Sequence, residues 1–425
     1  MPGMNNATAR SGFIPELNGL RAIAIILVFL CHVRLFIPDT DSAWRLIKTY
    51  LGLGWVGVDL FFVLSGFLIT GILLDTRNAK NYFSGFYVRR ILRIFPLYYA
   101  VLTAVILAGM ALKSTIVPSV LPIPQDRWLY YSYLTNWLGL WKGQWGPNYL
   151  AHFWSLAVEE QFYLVWPLAV WLLPYPAIPR VAAALTLVAA AVRVIWIAHS
   201  GADIAIGLAT VCRMDSLFVG AICAYLFRNR ERMEKIRVWL WPIVGLGLGT
   251  FLLAFSGVLF FPRQAALVLY GSSEAVSLDD ATLLLSGWGG YTFLALGFGA
   301  LVLLAAYGEE KTTIFRRILR TRTLGSIGTY SYGIYVFHVP ILGATLAFVT
   351  PKVFGDDEPT LLLGLCFVFG LALVTYIVSA ASYEFFERKI LALKRYFEPR
   401  YASALSDAIP LQAMAARAVS EASQS

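Results

Sequence analysis

Charged side chains are scarce in this chain of 425 residues. Asp, Glu, Lys and Arg together make up 14% of it, whereas soluble domains carry about a quarter. Apolar residues make up 59%, and the mean hydropathy is +0.68. This balance excludes an ordinary soluble enzyme, and it also excludes a disordered chain, which needs low hydrophobicity. The composition predicts an all-α, multi-pass membrane protein.

Cysteine patterns are equally sparse. The four cysteines stand singly inside apolar stretches with no CxxC spacing, which excludes a disulfide framework and gives no support to a metal site. The sequence also lacks an HExxH motif and a Walker loop, so it gives no support to a metalloprotease or an NTPase. The net charge of +9 does not indicate nucleic acid, because basic residues of membrane proteins collect in cytoplasmic loops. We therefore expect the lipid bilayer, and no nucleic acid, as a partner.

Long apolar runs dominate the rest of the chain. A membrane-spanning helix needs about 20 mostly apolar residues, and ten spans are predicted, at 17–37, 55–75, 95–113, 151–173, 180–198, 206–227, 238–260, 290–307, 323–349 and 360–383. The stretch 128–141 is too short and too aromatic to span, and we expect a short interfacial or re-entrant helix there. The predicted fold is a transmembrane helical bundle of about ten spans.

Basic residues concentrate in the loops that follow the second, sixth and eighth predicted spans, at 77–93, 228–237 and 311–322. These loops lie on one side if 128–141 does not cross, and the positive-inside rule makes that side cytoplasmic. Both termini are then cytoplasmic. The expected division is a cytoplasmic segment at 1–16, a membrane domain at 17–390 and a cytoplasmic tail at 391–425.

Two ionisable residues stand inside the first predicted span. Arg21 and His32 are eleven residues apart, close to three full turns, so they share one helix face about 16 Å apart along the axis. Ionisable groups inside a span cost about 2.5–3.5 kcal/mol each on insertion scales and are candidates for function. The alternative is an arginine that reaches the interface and a histidine with a structural hydrogen bond.

The fourth predicted span carries a polar stripe. His152, Ser155, Glu159 and Tyr163 recur at intervals of three and four residues, so they lie on one helix face, whereas Glu160 points to another. A carboxylate one turn from a serine and a tyrosine is suited to orient an imidazole or to stabilise its charged form. The alternative is a glutamate that packs against a neighbouring helix or arginine.

Three further groups of polar residues stand in or beside predicted spans. Arg89, Arg90 and Arg93 precede the third span, and a compact guanidinium cluster suits phosphate groups. Topology or contact with lipid headgroups is the alternative for these arginines. The other two groups are Asp59 and Ser65 in the second span, and Ser331, Tyr332 and His338 in the ninth. Hydrogen-bonded helix packing is the alternative for the ninth.

Taken in order, these segments resemble the acyltransferase-3 family of bacterial integral-membrane O-acyltransferases, which includes O-acetylases of lipopolysaccharide and exopolysaccharide. The matching motifs are Asn18-Gly-Leu-Arg21 with His32, Gly-Val-Asp59-Leu-Phe-Phe-Val-Leu-Ser65-Gly, Arg89-Arg90-Ile-Leu-Arg93-Ile-Phe-Pro, Phe-Trp-Ser155-Leu-Ala-Val-Glu159-Glu-Gln-Phe-Tyr163, Arg213-Met-Asp215-Ser-Leu-Phe and Ser331-Tyr332-Gly-Ile-Tyr-Val-Phe-His338. They extend from residue 17 to about 387. One departure is Asn18, where the family often has Asp, and the esterase-like domain that some members add is not expected here.

The resemblance implies transfer of an acyl group, usually acetyl, from acyl-CoA to a hydroxyl, usually on a sugar, in the bacterial inner membrane. It implies acyl-CoA as the donor substrate and no permanently bound cofactor or metal. His32 is expected to act as general base or as acyl carrier, with Glu159 orienting it. Four arginines are expected to hold the CoA phosphates: Arg21, Arg89, Arg90 and Arg93. The supporting residues are Asp59, Ser65, Ser155, Tyr163, Ser331, Tyr332 and His338.

Two other classes of protein also contain buried charges of this kind. A transporter or flippase of a lipid-linked sugar needs them, but the sequence shows no broken helices in paired positions of two repeats. A structural membrane subunit would use the charges only to lock helices together. The sequence leaves open the acceptor, the acyl group, the membrane face of transfer and the oligomeric state.

Overall fold

The computed structural model describes residues 14–38, 42–111, 127–142, 149–200, 204–260, 290–307, 313–354 and 360–401. Within these ranges the chain forms helices and their connections, and no strand. The prediction of an all-α fold is confirmed for them.

The helices of the first part of the chain are α1 (Pro15–Val33), α2 (Ser42–Gly52), α3 (Val56–Thr76), α4 (Tyr82–Ala111), α5 (Arg127–Tyr131), α6 (Trp137–Lys142), α7 (Phe153–Leu172), α8 (Ile178–Ser200) and α9 (Ile204–Leu208). The sequence explains how some of them begin. Pro15 stands in the first turn of α1, where its fixed φ suits a helix and its missing N–H costs no hydrogen bond.

The helices of the second part are α10 (Thr210–Arg228), α11 (Arg230–Arg237), α12 (Leu240–Phe260), α13 (Tyr291–Ala306), α14 (Ile314–Leu319), α15 (Arg322–Phe348), α16 (Thr350–Val353) and α17 (Leu361–Ser382). A π-helical turn (Tyr383–Glu387), α18 (Arg388–Leu391) and a 3-10 turn (Ala392–Phe397) follow. Thr360 caps α17, because its hydroxyl accepts a hydrogen bond from the backbone N–H of Leu363 at 3.5 Å.

Seven of the described helical segments are long and apolar enough to cross a membrane, or up to eight if the bent pair Arg230–Arg237 and Leu240–Leu252 counts as one span. A multi-pass membrane protein is therefore confirmed, but ten spans are not. The expected spans at 151–173 and 290–307 fall short for different reasons. The run Glu159-Glu160-Gln161 lowers the mean hydropathy of α7, and α13 has only 16 residues.

Helix α3 lies at the centre of the bundle, and glycines let its neighbours come close. A Cβ atom on Gly66 of α3 would overlap the carbonyl oxygen of Leu217 in α10, and one on Gly220 of α10 would overlap that of Val63. Such backbone contact is how small residues stabilise helix pairs in membranes. In the most apolar stretch of Ser42–Thr76, 72% of the residues are buried, against 17% for Leu361–Phe397. The last long helix therefore lies at the periphery.

The three basic loops lie at the same end of the bundle, which we call the basic end. Arg228 at the end of α10 pairs with Asp75 near the end of α3, at 2.5 Å. The Tyr307 hydroxyl after α13 donates to Glu234 in α11 at 2.5 Å, and Arg320 after α14 pairs with Glu16 at the start of α1 at 2.8 Å. That this end faces the cytoplasm stays a prediction of the positive-inside rule.

The aromatic stretch 128–141 forms the two short helices α5 and α6, neither long enough to span. It packs into the bundle, and Tyr130 is fully buried. The Tyr98 hydroxyl of α4 donates to the carbonyl of Tyr130 at 2.8 Å, and the Gln161 amide of α7 donates to the carbonyl of Tyr133 at 2.8 Å. This segment thus supports α4 and α7, the two helices that carry most of the site.

Candidate active site

A cavity opens between α1, α3, α4, α7 and α15, with about 830 Å³ of space between the atoms, part of it open to the outside. Apolar side chains of α3, such as Leu64 and Leu68, form much of one wall. Nine of the residues singled out in the sequence line the cavity: Arg21, Ser65, Arg90, Arg93, Ser155, Glu159, Tyr163, Ser331 and Tyr332. We call it the arginine cavity.

Three half-buried arginines give the cavity its charge. Arg90 and Arg93 lie three residues apart on α4, and Arg21 faces them from α1. The Arg90 guanidinium stands 5.5 Å from the ring centre of Tyr163, a cation–π contact. Within the described residues none of the three forms a salt bridge; Arg21 donates a hydrogen bond to the Asn18 side chain at 3.3 Å. Their N–H groups are therefore available to an anion.

Arg89 does not line the cavity with its neighbours. Its Nε donates to the carbonyl of Gly85 at 2.8 Å, and its charge faces Glu398 and Tyr401 near the C-terminal end of the described chain. Arg89 and Arg93 are spaced for one helix face, but the Arg89 guanidinium turns back along α4 toward Gly85 instead of entering the cavity. The structure thus brings together Arg21, Arg90 and Arg93 and leaves Arg89 outside.

Glu159 lies against the arginines and two hydroxyl groups. It interacts with Ser65 and Tyr163 and with the charges of Arg90 and Arg21, while Ser65 and Tyr163 also hydrogen-bond to each other. These contacts tie α7 to α3 and place the carboxylate inside the arginine cavity. The neighbours of His32 are different groups, so the described structure does not form the expected contact between Glu159 and His32.

Two tyrosines of α15 complete the wall. The Tyr335 hydroxyl is hydrogen-bonded to Ser155 and to the carbonyl of His152, the latter at 2.8 Å. The Tyr332 hydroxyl donates to the carbonyl of Ile94 at 2.6 Å. Tyr335 was not selected from the sequence, although it shares one face of α15 with Ser331 and His338 at spacings of four and three residues. This shared helix face was the feature of the sequence from which Tyr335 could have been selected.

Three of the four histidines in the chain meet beyond Tyr335, and we call them the histidine cluster. The ring centres of His32 and His338 are 4.9 Å apart, and those of His152 and His338 are 5.1 Å apart, both edge to face. The sequence singled out His32 and His338 and placed His152 on the polar stripe of α7, but it did not bring the three together. Each comes from a different part of the chain: α1, the residue before α7, and α15.

The hydrogen bonds of the cluster assign protons to ring atoms. His32 Nδ1 lies 2.8 Å from the carbonyl oxygen of Val28, and His338 Nδ1 lies 2.7 Å from that of Tyr335. A carbonyl only accepts, so Nδ1 carries the proton in both rings and Nε2 keeps a lone pair. Among the described residues, His338 Nε2 has no hydrogen-bond partner and neither ring nitrogen of His152 makes a well-aligned hydrogen bond, although these residues are only 2% and 3% exposed. The cluster is therefore suited to accept a proton.

Asp59 stands apart from the cavity, in what we call the paired network. Its carboxylate accepts from Arg213 at 2.8 Å and from the Ser216 hydroxyl at 3.0 Å. Next to this pair, Arg193 of α8 contacts Asp215 at 2.7 Å. All four charged side chains are at most 2% exposed. These contacts link α3, α8 and α10, and they place Asp59 outside the arginine cavity.

A metal site is not seen in the part of the chain that the structure describes. No group of three or more His, Cys, Asp or Glu side chains there is arranged to hold a metal ion. The described site contains imidazole, carboxylate, hydroxyl and guanidinium groups.

Residues 14–384 match the profile of a family described as an acyltransferase domain, acyltransferase-3. The chain is 28% identical over 397 residues to the peptidoglycan O-acetyltransferase OatA of Listeria monocytogenes, which covers 89% of this chain and 56% of that protein. It is 26% identical over 344 residues to the O-acetyltransferase OatA of Staphylococcus aureus, covering 78% of this chain and 51% of that protein. The chain spans about half the length of these curated relatives. No solved structure matches it.

Proposed function

The chain belongs to the acyltransferase-3 family, and from this premise we propose that it moves an acyl group from acyl-CoA to a hydroxyl of a cell-envelope saccharide, in the bacterial inner membrane. Acetyl is the first acyl group to test, because both relatives carry the name of O-acetyltransferases. The Listeria protein is named for peptidoglycan, so fragments of that polymer are the first acceptors to test.

The observation that carries the proposal is the arrangement of two unlike sites along one helix. On α1, Arg21 lies in the arginine cavity on the side of the basic end, and His32 lies in the histidine cluster at the other end of the helix. The two are about 16 Å apart along the axis. Acyl-CoA has the same polarity, with phosphates at one end of a long arm and the thioester at the other. The arginines suit the phosphates, and the histidines suit the chemistry at the thioester.

In the proposed reaction His32 acts as general base. Its Nε2 takes the proton of the acceptor hydroxyl while that oxygen attacks the thioester carbonyl. The C–S bond breaks, an ester forms, and the thiolate of CoA takes up the proton from the imidazolium. Attack by His32 Nε2 on the thioester, giving an acyl-imidazole that the hydroxyl then attacks, is the alternative route. A trapped acyl-enzyme that is sensitive to hydroxylamine would select that second route.

The acceptor reaches His32 from the end opposite the donor. His32 stands one residue before the end of α1, and His152 directly precedes α7. The C-terminal end of α7 lies at the basic end, where the Arg77 guanidinium donates to the carbonyl of Leu173 at 2.5 Å. His152, at the opposite end of α7, therefore lies away from the basic end, and so does His32 in the same cluster. If the basic end faces the cytoplasm, where acyl-CoA is made, the saccharide hydroxyl approaches from the outer side.

Glu159 takes a different role from the one expected from the sequence. Its neighbours are Arg90, Arg21 and the linked hydroxyls of Ser65 and Tyr163. We assign it to the shape and charge of the arginine cavity: it holds the guanidinium groups in place for the donor and limits the repulsion between them. The imidazole of His32 is oriented by the Val28 carbonyl instead.

Purified protein in lipid nanodiscs, given labelled acetyl-CoA and peptidoglycan fragments or lipid-linked sugars, tests the proposal. We expect a labelled saccharide whose label is released by hydroxylamine, as an ester requires, and free CoA in equal amount. A transporter would instead move the labelled saccharide into vesicles without acetyl-CoA, and a structural subunit would do neither. Either of those results contradicts the proposed enzyme activity.

A further inference from the structure

The C-terminal segment (residues 388–401) folds back onto the basic end of the bundle. After α17 and the π-helical turn, α18 and the 3-10 turn pack against α4. Three hydrogen bonds then hold residues 398–400 in place: Lys80 N donates to the Arg400 carbonyl at 2.7 Å, Arg400 N to the Asn81 side chain at 2.8 Å, and the Asn81 amide to the Glu398 carbonyl at 2.9 Å. The whole segment lies beyond residue 384, where the family match ends.

One basic side chain of this segment joins the arginines of α4. Lys394 is half-buried, and its ammonium group is repelled by the charges of Arg93, Arg90 and Arg89. Two glutamates partly neutralise the positive charge of the arginines, since Glu387 faces Arg93 and Glu398 faces Arg89. Lys394 itself forms no hydrogen bond or salt bridge with another described residue.

A lysine held among three like charges with no carboxylate partner of its own is unfavourable in the absence of a ligand. A phosphate group reverses this balance, because it brings up to two negative charges and three oxygens that accept from ammonium and guanidinium groups together. Arg90 and Arg93 already line the arginine cavity. Lys394, in a turn that packs against α4, therefore lies near two of the arginines that line this cavity.

We propose that the C-terminal segment forms part of the donor site and that Lys394, together with Arg93, binds a phosphate group of the donor. This inference rests on the proposed function, in which the donor is acyl-CoA. The ligand chemistry is a phosphate monoester or diester. The headgroup of an anionic lipid offers the same chemistry, so the experiment has to separate the two sources.

The test measures ligand binding by the full chain in nanodiscs made only of phosphatidylcholine. The probes are acetyl-CoA, S-acetylpantetheine, which has no phosphate, and inorganic pyrophosphate. The variants are Lys394→Ala, the charge-keeping Lys394→Arg, and Lys389→Ala as matched control, because Lys389 is an exposed lysine of the same segment. Monodispersity and thermal unfolding show whether each variant is folded, and Lys394→Gln replaces Lys394→Ala if the alanine variant is not.

We expect Lys394→Ala to weaken acetyl-CoA binding about tenfold or more, the effect of one lost hydrogen bond between charged groups. Binding of S-acetylpantetheine should not change, Lys394→Arg should keep most of the affinity, and Lys389→Ala should match the wild type. Equal acetyl-CoA affinity of Lys394→Ala and wild type overturns the inference. So does a Lys394-dependent stabilisation by added phosphatidylglycerol with unchanged acetyl-CoA binding, which would assign the lysine to a lipid headgroup.

The same measurements distinguish failure of this inference from failure of the proposed function. If the wild type binds pyrophosphate through Lys394 but does not bind acetyl-CoA, the phosphate site stands and acyl-CoA is the wrong donor. If the wild type binds acetyl-CoA and Lys394→Ala binds it equally well, the donor stands and the role of the C-terminal segment is wrong. If the wild type binds neither probe, both are wrong.

Discussion

Two regions of the bundle hold arginine side chains inside the protein, and they treat the charge differently. In the paired network each arginine meets a carboxylate, Arg213 with Asp59 at 2.8 Å and Arg193 with Asp215 at 2.7 Å. In the arginine cavity none of the three arginines forms a salt bridge with another described residue, and Glu159 is the carboxylate among the described residues that line it. Both regions contain side chains of the central helix α3. The difference in how their arginines are paired is therefore not explained only by how deeply each region is buried.

This difference separates arginines that stabilise the fold from arginines that are available to bind a ligand. A buried pair with hydrogen bonds on both sides needs no ligand, although breaking it leaves one uncompensated charge. Arginines that face an open cavity and form no salt bridge keep N–H donors available for an anion. The histidine cluster is a third case, in which buried ring nitrogens lack well-aligned hydrogen bonds to other described residues. Each kind of region should respond to substitution with a different observable.

Substitution of the histidine cluster should change the rate most. We expect His32→Ala to lower the maximal rate by about 10²–10⁴-fold, the usual contribution of a general base, with acyl-CoA binding nearly unchanged. His199→Ala is the matched control, because His199 is an exposed histidine at the end of α8 that also bonds a carbonyl of its own helix. Turnover in labelled acetyl-CoA checks both. Near-normal turnover of folded His32→Ala would make this histidine a packing residue.

Substitution in the paired network should change stability instead. Asp59→Asn leaves Arg213 buried without its counter-charge, and we expect a loss of about 3–5 kcal/mol in the free energy of unfolding. The control is Asp75→Asn, whose pair with Arg228 is exposed and should contribute about 0–1 kcal/mol. Unfolding in detergent by heat or denaturant measures both. A stable Asp59→Asn protein with poor turnover would instead assign Asp59 to the active site.

The sequence was sufficient for features that lie within one helix. The spacing of Ser155, Glu159 and Tyr163 predicted one polar stripe, and all three line the same cavity. The number of spans was harder to predict, because polar residues inside α7, Glu159 of the cavity among them, lower its mean hydropathy. A polar residue of the candidate site thus weakens the signal by which a span is recognised.

Contacts between helices were not predictable from the stripes, because they depend on the axial offset of one helix against another. Glu159 is seven residues from His152, about 10 Å along α7, and the structure sets His152 rather than Glu159 at the level of His32. In the same way, helical spacing allowed Arg89 and Arg93 to share a face, yet Arg90 and Arg93 line the cavity. Periodicity gives the face of a helix but not its partner.

Substitution in the arginine cavity should change donor affinity more than rate. We expect Arg93→Ala or Arg90→Ala to raise the KM for acyl-CoA about tenfold or more, since each loses a charge-assisted hydrogen bond. The maximal rate should fall less, because the lost contact is made equally in the ground state and the transition state. Lysine should replace these arginines poorly if the contacts are bidentate.

Arg89→Ala is the matched control for that measurement, because Arg89 precedes Arg90 directly but faces Gly85 and Glu398. Its KM should stay close to that of the wild type. If Arg89→Ala raises the KM as much as Arg93→Ala does, all three arginines of this run contribute to donor binding. The donor site would then extend beyond the arginine cavity.

The finest distinction is whether Glu159 and the histidine cluster act as one unit. The sequence hypothesis, in which Glu159 orients His32, predicts strong coupling, whereas the described contacts place them in separate groups. A double-mutant cycle with Glu159→Gln and His338→Gln, measured as kcat/KM, decides between these. For separate groups the two effects should add within about 0.5 kcal/mol, so that the double variant equals the product of the single effects within about twofold. Glu160→Gln, on another face of α7, serves as the control for losing a glutamate charge. A double variant no worse than the poorer single variant would show that the carboxylate acts through the imidazoles, and the separation of the two sites would be wrong.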